Sequence, residues 1–161
     1  MALTNKQRAA AAASLAAAIA IPAEGMRQLA YRDPVGIITV CYGHTGADIA
    51  KAKRYSLSEC DGLLSDDMMK AIAQVERCVP DLPVPVLAAF SDAVFNMGPT
   101  IACDRQNSTA ARMLYVGQLE AACRQLPRWN KARIAGVLVE LPGLTTRRAK
   151  ERVLCLTGVT V

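Results

Sequence analysis

Residues 24–46 read EGMRQLAYRDPVGIITVCYGHTG, from Glu24 to Gly46. Pro34, Gly36, Gly43 and Gly46 are threaded among Val35, Ile37, Ile38, Val40 and Tyr42, the pattern of short strands and tight turns. An uncharged run from Ala9 to Ala23 precedes the stretch, and Gly25 is a natural helix stop. Three polar side chains stand out. Glu24 closes the apolar run, where the negative end of a helix dipole and desolvation by apolar neighbours both favour its protonated form. Asp33 lies in the polar turn Tyr31-Arg32-Asp33-Pro34, where solvent and Arg32 favour the ionised form. Two carboxyl groups in such contrasting surroundings suit glycoside hydrolysis: one protonates the leaving oxygen, the other supports the water or the charge developing on the sugar. Thr39 adds a hydroxyl that could hold that water.

Beyond Gly46 the pattern turns helical. From Ser58 to Cys78, Leu63, Leu64, Met68, Ile72 and Val75 fall near a 3.6-residue period that Val79 continues, and Ser58 offers an N-cap with Asp61 three residues on. Pro80, Pro83 and Pro85 break the run. A second helix is expected from about Val84 to Met97. A third starts near Ser108, is open to interruption at Gly117 and is ended by Pro127. A last helix runs from near Thr145 to Leu156, with Gly158 beyond it. The expected class is α+β: a small β-containing lobe near the front, a long helix, then a mainly helical lobe. There are no internal repeats and no linker.

The run before Glu24 is unusual in composition. Ten of the 15 residues from Ala9 to Ala23 are alanine, and Lys6 and Arg8 precede them. This is the layout of a signal sequence. As a helix the run spans about 22 Å, against about 30 Å of bilayer hydrocarbon, and alanine gains little from lipid. Three readings stay open: a cleaved signal peptide with Ala18-Ile19-Ala20 as its site, an uncleaved weak anchor, or a soluble alanine-rich first helix. Pro22 disfavours helix at Ile21 and predicts a kink or restart.

The whole chain has 161 residues, 52% of them apolar, enough for one domain with a buried core. No second uncharged apolar run is long enough to span a bilayer, which excludes a multi-spanning membrane protein. The net charge of +5 is uneven: +3 over residues 1–60, −4 over 61–103 and +6 over 104–161. A basic face implies a polyanion nearby, whether nucleic acid, anionic lipid or cell-wall polymer. No recognition-helix or aromatic-basic motif supports nucleic acid. The six cysteines are widely spaced, without any C-x-x-C, and there is one histidine, which argues against a zinc site. An even count fits disulfides in an oxidising compartment; the alternative is six free thiols in a cytosolic protein. Nothing indicates oligomerisation, and a monomer is expected.

The spacing Glu24-x8-Asp33-x5-Thr39, followed by Val40-Cys41-Tyr42-Gly43-His44-Thr45-Gly46, resembles the catalytic signature of bacteriophage lysozymes, the endolysin muramidases. Phe95-Asn96-Met97-Gly98 resembles the family's F-N-x-G segment. Ala122-Cys123-Arg124-Gln125-Leu126-Pro127-Arg128-Trp129 resembles A-C-x-Q-L-x-R-W. Gly143-Leu144-Thr145-Thr146-Arg147-Arg148 with Glu151 resembles G-L-x-x-R-R-x-x-E. The resemblance covers residues 24 to 156. It implies a two-lobed lysozyme-like fold with the cleft between lobes, and hydrolysis of the β-1,4 bond between N-acetylmuramic acid and N-acetylglucosamine of peptidoglycan with inversion. Glu24 would be the general acid, with Asp33 and Thr39 positioning the water. No metal or organic cofactor is implied. Many relatives carry Gly at the position of Cys41. Disulfide-bearing relatives imply the pairs Cys41–Cys60 and Cys123–Cys155, which leave Cys78 with Cys103. Some phage lysozymes carry a signal-anchor-release segment, which residues 9–23 resemble. Residues 1–23 would then be a signal-anchor-like segment, residues 24–161 the catalytic domain. The enzyme would be exported to the host periplasm after tethering to the inner membrane; the alternative is residence in the host cytoplasm until lysis.

The remaining candidates have competing roles. His44 is either catalytic or a turn-fixing partner of a carboxylate. Arg148 resembles a family arginine that reaches the catalytic glutamate, but a solvated helix face is equally open. Asn96 is a sugar-amide ligand or a polar group at a helix end. Trp129 reads as an aromatic anchor of the rear lobe rather than a sugar platform. Two other functions compete with hydrolysis: a lytic transglycosylase acting on the same bond, which needs no water-activating Asp33, and a non-catalytic wall-binding or membrane-binding protein.

Overall fold

The computed structural model describes residues 3–34 and 36–159. Val35, one of the apolar residues of the expected strand region, lies outside them. Helix α1 (Asn5–Glu24) opens with a capping box, in which the Thr4 hydroxyl accepts from Gln7 N and the Gln7 side chain accepts from Thr4 N. Ala9, Ala12, Ala16, Ile19 and Ala20 form its buried stripe. That stripe sets α1 against α3 (Val84–Met97), with α2 (Leu57–Cys78) and α7 (Pro142–Thr157) also in contact. The small side chains let the helices approach closely. The break expected at Pro22 does not occur, and α1 runs through to Glu24. Pro22 stands in the last turn, so it removes only the bond to the Ala18 carbonyl, and Ala18 is exposed to water. No helix among the described residues is long and apolar enough to cross a membrane.

Gly25, at φ 66°, turns the chain out of α1 into an antiparallel sheet of β1 (Arg27–Arg32), β2 (Ile38–Cys41) and β3 (His44–Thr45), in that order. Tyr31 pairs with Thr39, and Val40 with His44. The sheet has its own small core of Val40, Cys41, Ile49, Tyr55 and Cys60. Tyr42 packs against both this cluster and the main helical core, so it stands at the junction of the lobes.

The N-cap of helix α2 is Ser56, two residues before the expected cap at Ser58. Ser56 and Glu59 form the capping box, because they supply the Ser-x-x-Glu pair that Ser58 and Asp61 only approximate. Helix α3 forms as expected and is the axle of the domain, buried at every position from Val86 to Val94. A short α4 (Thr100–Cys103) follows. The third expected helix starts at its Ser108 cap but is divided by Gly117, at φ 75°, into α5 (Thr109–Tyr115) and α6 (Leu119–Gln125). A hairpin of β4 (Lys131–Ile134) and β5 (Val137–Glu140) was not foreseen. Its Val137-Leu138-Val139 run is exposed throughout, so it carries no alternation of buried and exposed residues to reveal a strand. Helix α7 begins at Pro142 rather than near Thr145, since proline is well suited to a first helical position.

All six cysteines are bridged. Cys41–Cys60 ties β2 to α2, Cys78–Cys103 ties α2 to α4, and Cys123–Cys155 ties α6 to α7. These are the pairs that the resemblance implied.

Candidate active site

Glu24 is the last residue of α1, and the lobes converge on it. Its two oxygens face different partners. Oε1 accepts from Arg147 Nη1 of α7 and, at 3.4 Å, from Asn96 Nδ2 of α3. Oε2 faces Gly43 in the turn between β2 and β3, where a Cβ would stand 3.0 Å away. The helical lobe thus donates to one oxygen, and the sheet lobe meets the other with a bare glycine.

Asp33 and Thr39 lie on the hairpin that starts just beyond Glu24. The Asp33 carboxylate accepts from Ile37 N at 2.8 Å and closes the turn between β1 and β2. Thr39 is buried on β2, with its hydroxyl donating to Ile37 O at 3.2 Å.

Behind Glu24 lies a buried charge network. Arg147 forks onto Asp92 of α3, Nε to Oδ2 at 2.9 Å and Nη2 to Oδ1 at 2.8 Å. Phe95 covers the guanidinium, its ring centre 5.7 Å from Cζ. Burial alone would loosen the Arg147 proton. The hydrogen bonds and charge of Asp92, then those of Glu24, outweigh this and raise its pKa above the usual arginine value. Arg148, by contrast, does not reach Glu24 and is no solvated face. It is fully buried, donating to Asn96 Oδ1 at 3.1 Å and to Glu151 Oε1. The arginine expected at Glu24 is therefore its neighbour Arg147, and Arg148 has no surface to offer a ligand. Burial, then the neighbouring Asp92 carboxylate, pushes the Glu151 pKa well above the ordinary range. Burial also lowers that of Arg148.

His44 sits apart from this cluster and ties the sheet to α2. Its Nδ1 lies 2.6 Å from Asp67 Oδ2, and its Nε2 lies 3.2 Å from Asp48 Oδ2. Both ring nitrogens face carboxylates, an arrangement that favours the protonated ring. Trp129 packs against the main core, as an anchor would.

Comparison with known proteins identifies the family. The family model for phage lysozyme matches residues 22–151, most of the chain and every residue of the cluster just described. The chain belongs to the phage lysozyme family. An SAR-endolysin of Bacteriophage PS119 is 40% identical over 136 residues, 84% of this chain and 77% of that protein. Among solved structures, the muramidase domain of SpmX from Asticaccaulis excentricus superposes with a TM-score of 0.74 at 27% identity, covering 91% of this chain and 95% of that one. The active form of P1 phage endolysin Lyz superposes with a TM-score of 0.71 at 28% identity, covering 91% and 85%. The fold is lysozyme-like α+β, and the family is one of lysozyme-type cell-wall lytic enzymes.

Sequence reading missed Arg147, Asp92 and Gly43 as parts of the site. A signal was present for two of them. Asp92 interrupts the otherwise apolar helix VPVLAAFSDAVFNM, and an acid there has to be buried with a partner. Arg147 lies two helical turns before Cys155, on the stripe Arg147, Glu151, Cys155 that faces the core.

Proposed function

We propose that this phage lysozyme is an endolysin that hydrolyses the β-1,4 bond between N-acetylmuramic acid and N-acetylglucosamine in bacterial peptidoglycan, lysing the host. The observation that carries the reading is the asymmetry of the Glu24 carboxyl group. Two donors occupy Oε1, so the transferable proton resides on Oε2, which faces the Gly43 side.

In the proposed mechanism, Oε2 protonates the glycosidic oxygen, and the bond from that oxygen to the anomeric carbon breaks. Asp33 takes a proton from water on the opposite face of the sugar as the oxygen of that water bonds to the anomeric carbon, with inversion. The Thr39 proton is given to Ile37, so its hydroxyl keeps lone pairs to accept from that water. The reaction returns Glu24 ionised and Asp33 protonated, and solvent restores both.

Digestion of purified wall tests the assignment. New reducing ends without 1,6-anhydro products are expected, with Glu24→Gln inactive and Asp33→Asn severely impaired. Anhydro products would replace hydrolysis by transglycosylation. Wall binding without cleavage would make the protein a binding module.

Residues 1–23 are proposed to serve as an anchor before they serve as a core helix, with residues 24–161 as the catalytic domain. The short alanine-rich run and the name SAR-endolysin borne by a relative 40% identical support this order. The chain would be exported, held transiently in the inner membrane by residues 9–23, and released into the periplasm when α1 docks on α3. Intact mass of the protein from cell fractions tests it. An uncleaved, fully bridged chain in the periplasm is expected. A cytoplasmic chain with free thiols would overturn it.

A further inference from the structure

The pair Arg148 and Glu151 is costly to bury and is sealed from solvent. Both side chains are fully buried. Among the described residues, Arg148 Nε, Arg148 Nη1 and Glu151 Oε2 find no hydrogen-bond partner. Buried polar side chains left partly unpaired are often no more stabilising than apolar side chains of similar volume. Stability therefore does not account for it. Its reach does.

Arg148 Nη2 donates both to Glu151 Oε1 and, at 3.1 Å, to Asn96 Oδ1. Arginine can only donate. The atom that Asn96 turns toward it must be the oxygen, and the amide nitrogen is then turned the other way, toward Glu24 Oε1 at 3.4 Å. The chemistry of the arginine thus fixes the amide orientation. Without it the Asn96 amide is free to turn over and present its oxygen to Glu24. An oxygen facing Oε1 would remove one of its two donors and set two lone-pair-bearing atoms against each other, which weakens the preference for carrying the proton on Oε2 and leaves Arg147 alone to maintain it. Arg147 binds the same Oε1 through α7, but its hydrogen bonds among the described residues go to Asp92 and Glu24 and not to the amide.

We propose that Arg148 and Glu151 are positioning residues of the catalytic acid, acting through Asn96 to keep the Glu24 proton on Oε2. The proposal rests on Glu24 being the acid. Glu151 holds the Arg148 guanidinium in place, and its burial favours the neutral form, so glutamine at this position keeps both shape and acceptor.

The test compares the full-length wild type, Glu24→Gln, Glu151→Gln and the double variant Arg148→Met with Glu151→Leu, on purified peptidoglycan. The double variant removes both buried polar side chains together and is expected to keep the wild-type Tm or exceed it. Its kcat should fall about tenfold to a hundredfold with KM unchanged, the scale of a misplaced catalytic group. Glu151→Gln should keep most of kcat. A folded double variant with wild-type kcat would overturn the proposal. So would a loss of kcat that accompanies a lower Tm and a raised KM, which marks a structural role, or an equal loss in Glu151→Gln. If wild type and Glu24→Gln behave alike, it is the assignment of Glu24 that fails, a result distinct from these.

Discussion

Gly43 and the carboxyl group of Glu24 are in direct apposition: a Cβ at residue 43 would stand 3.0 Å from Oε2, close enough that the carboxyl group would have to shift by a few tenths of an ångström. The backbone there is also left-handed, at φ 84°. Gly43→Ala should therefore act twice. The backbone strain should cost about 1–2 kcal/mol of stability, and the displaced Oε2 should lower kcat by roughly tenfold or more. Thermal unfolding and wall-digestion kinetics separate the two effects, because the first is independent of substrate.

Arg147 binds both Asp92 oxygens and reaches Glu24 with its remaining nitrogen. Lysine can carry the charge but cannot fork. Arg147→Lys is expected to lose about 3 kcal/mol of stability, the scale for a broken buried pair, and most of the activity. Urea denaturation gives the first quantity. A variant as stable as wild type would show that the fork contributes nothing.

The His44 contacts predict a pH dependence of stability. Burial alone would lower its pKa, but the hydrogen bond and charge of Asp67, then those of Asp48, outweigh burial and raise it above 6.5. A group whose folded pKa is raised stabilises the fold fully below its unfolded value and loses that contribution as pH rises through the folded value. The Tm should thus fall as the solution is taken from pH 6 upward through the raised value. Asp67→Asn should flatten that part of the profile. An identical slope in the variant would remove His44 as its cause.

The three bridges close loops of similar length, with separations of 19, 25 and 32 residues. Chain entropy assigns each about 3 kcal/mol, with only about 0.5 kcal/mol between the shortest and longest. Paired serine replacements at Cys123 and Cys155 should cost that much in denaturant. They should also reduce activity more than the pair at Cys78 and Cys103, since Cys155 lies on the helix that presents Arg147.

Much of this was legible from residue pattern. The turn-rich stretch after Glu24, the periodic helix ending at Cys78, the helix from Val84 to Met97 and the start at Ser108 all carry local signals that packing reinforces. What escaped reading depended on tertiary context. Adjacent arginines on a helix point about 100° apart, and only the packed position of α7 decides that Arg147 rather than Arg148 meets Glu24. The β4–β5 hairpin escaped because neither of its strands buries an alternating face. Pro22 was over-read because its penalty depends on how soon the helix ends, and α1 ends two residues later.

Because Glu24 is the final residue of a continuous helix, the place of the acid is counted out in residues along α1. One residue added between the buried alanines and Glu24 would advance it by about 1.5 Å and swing it by about 100° around the axis. A replacement at exposed Ala10 or Ser14 would not move it at all. The run from Ala9 to Ala23 is thus free to drift in spelling on its outer face and closed to any change in length, a constraint that a length-variable membrane segment would not carry by itself.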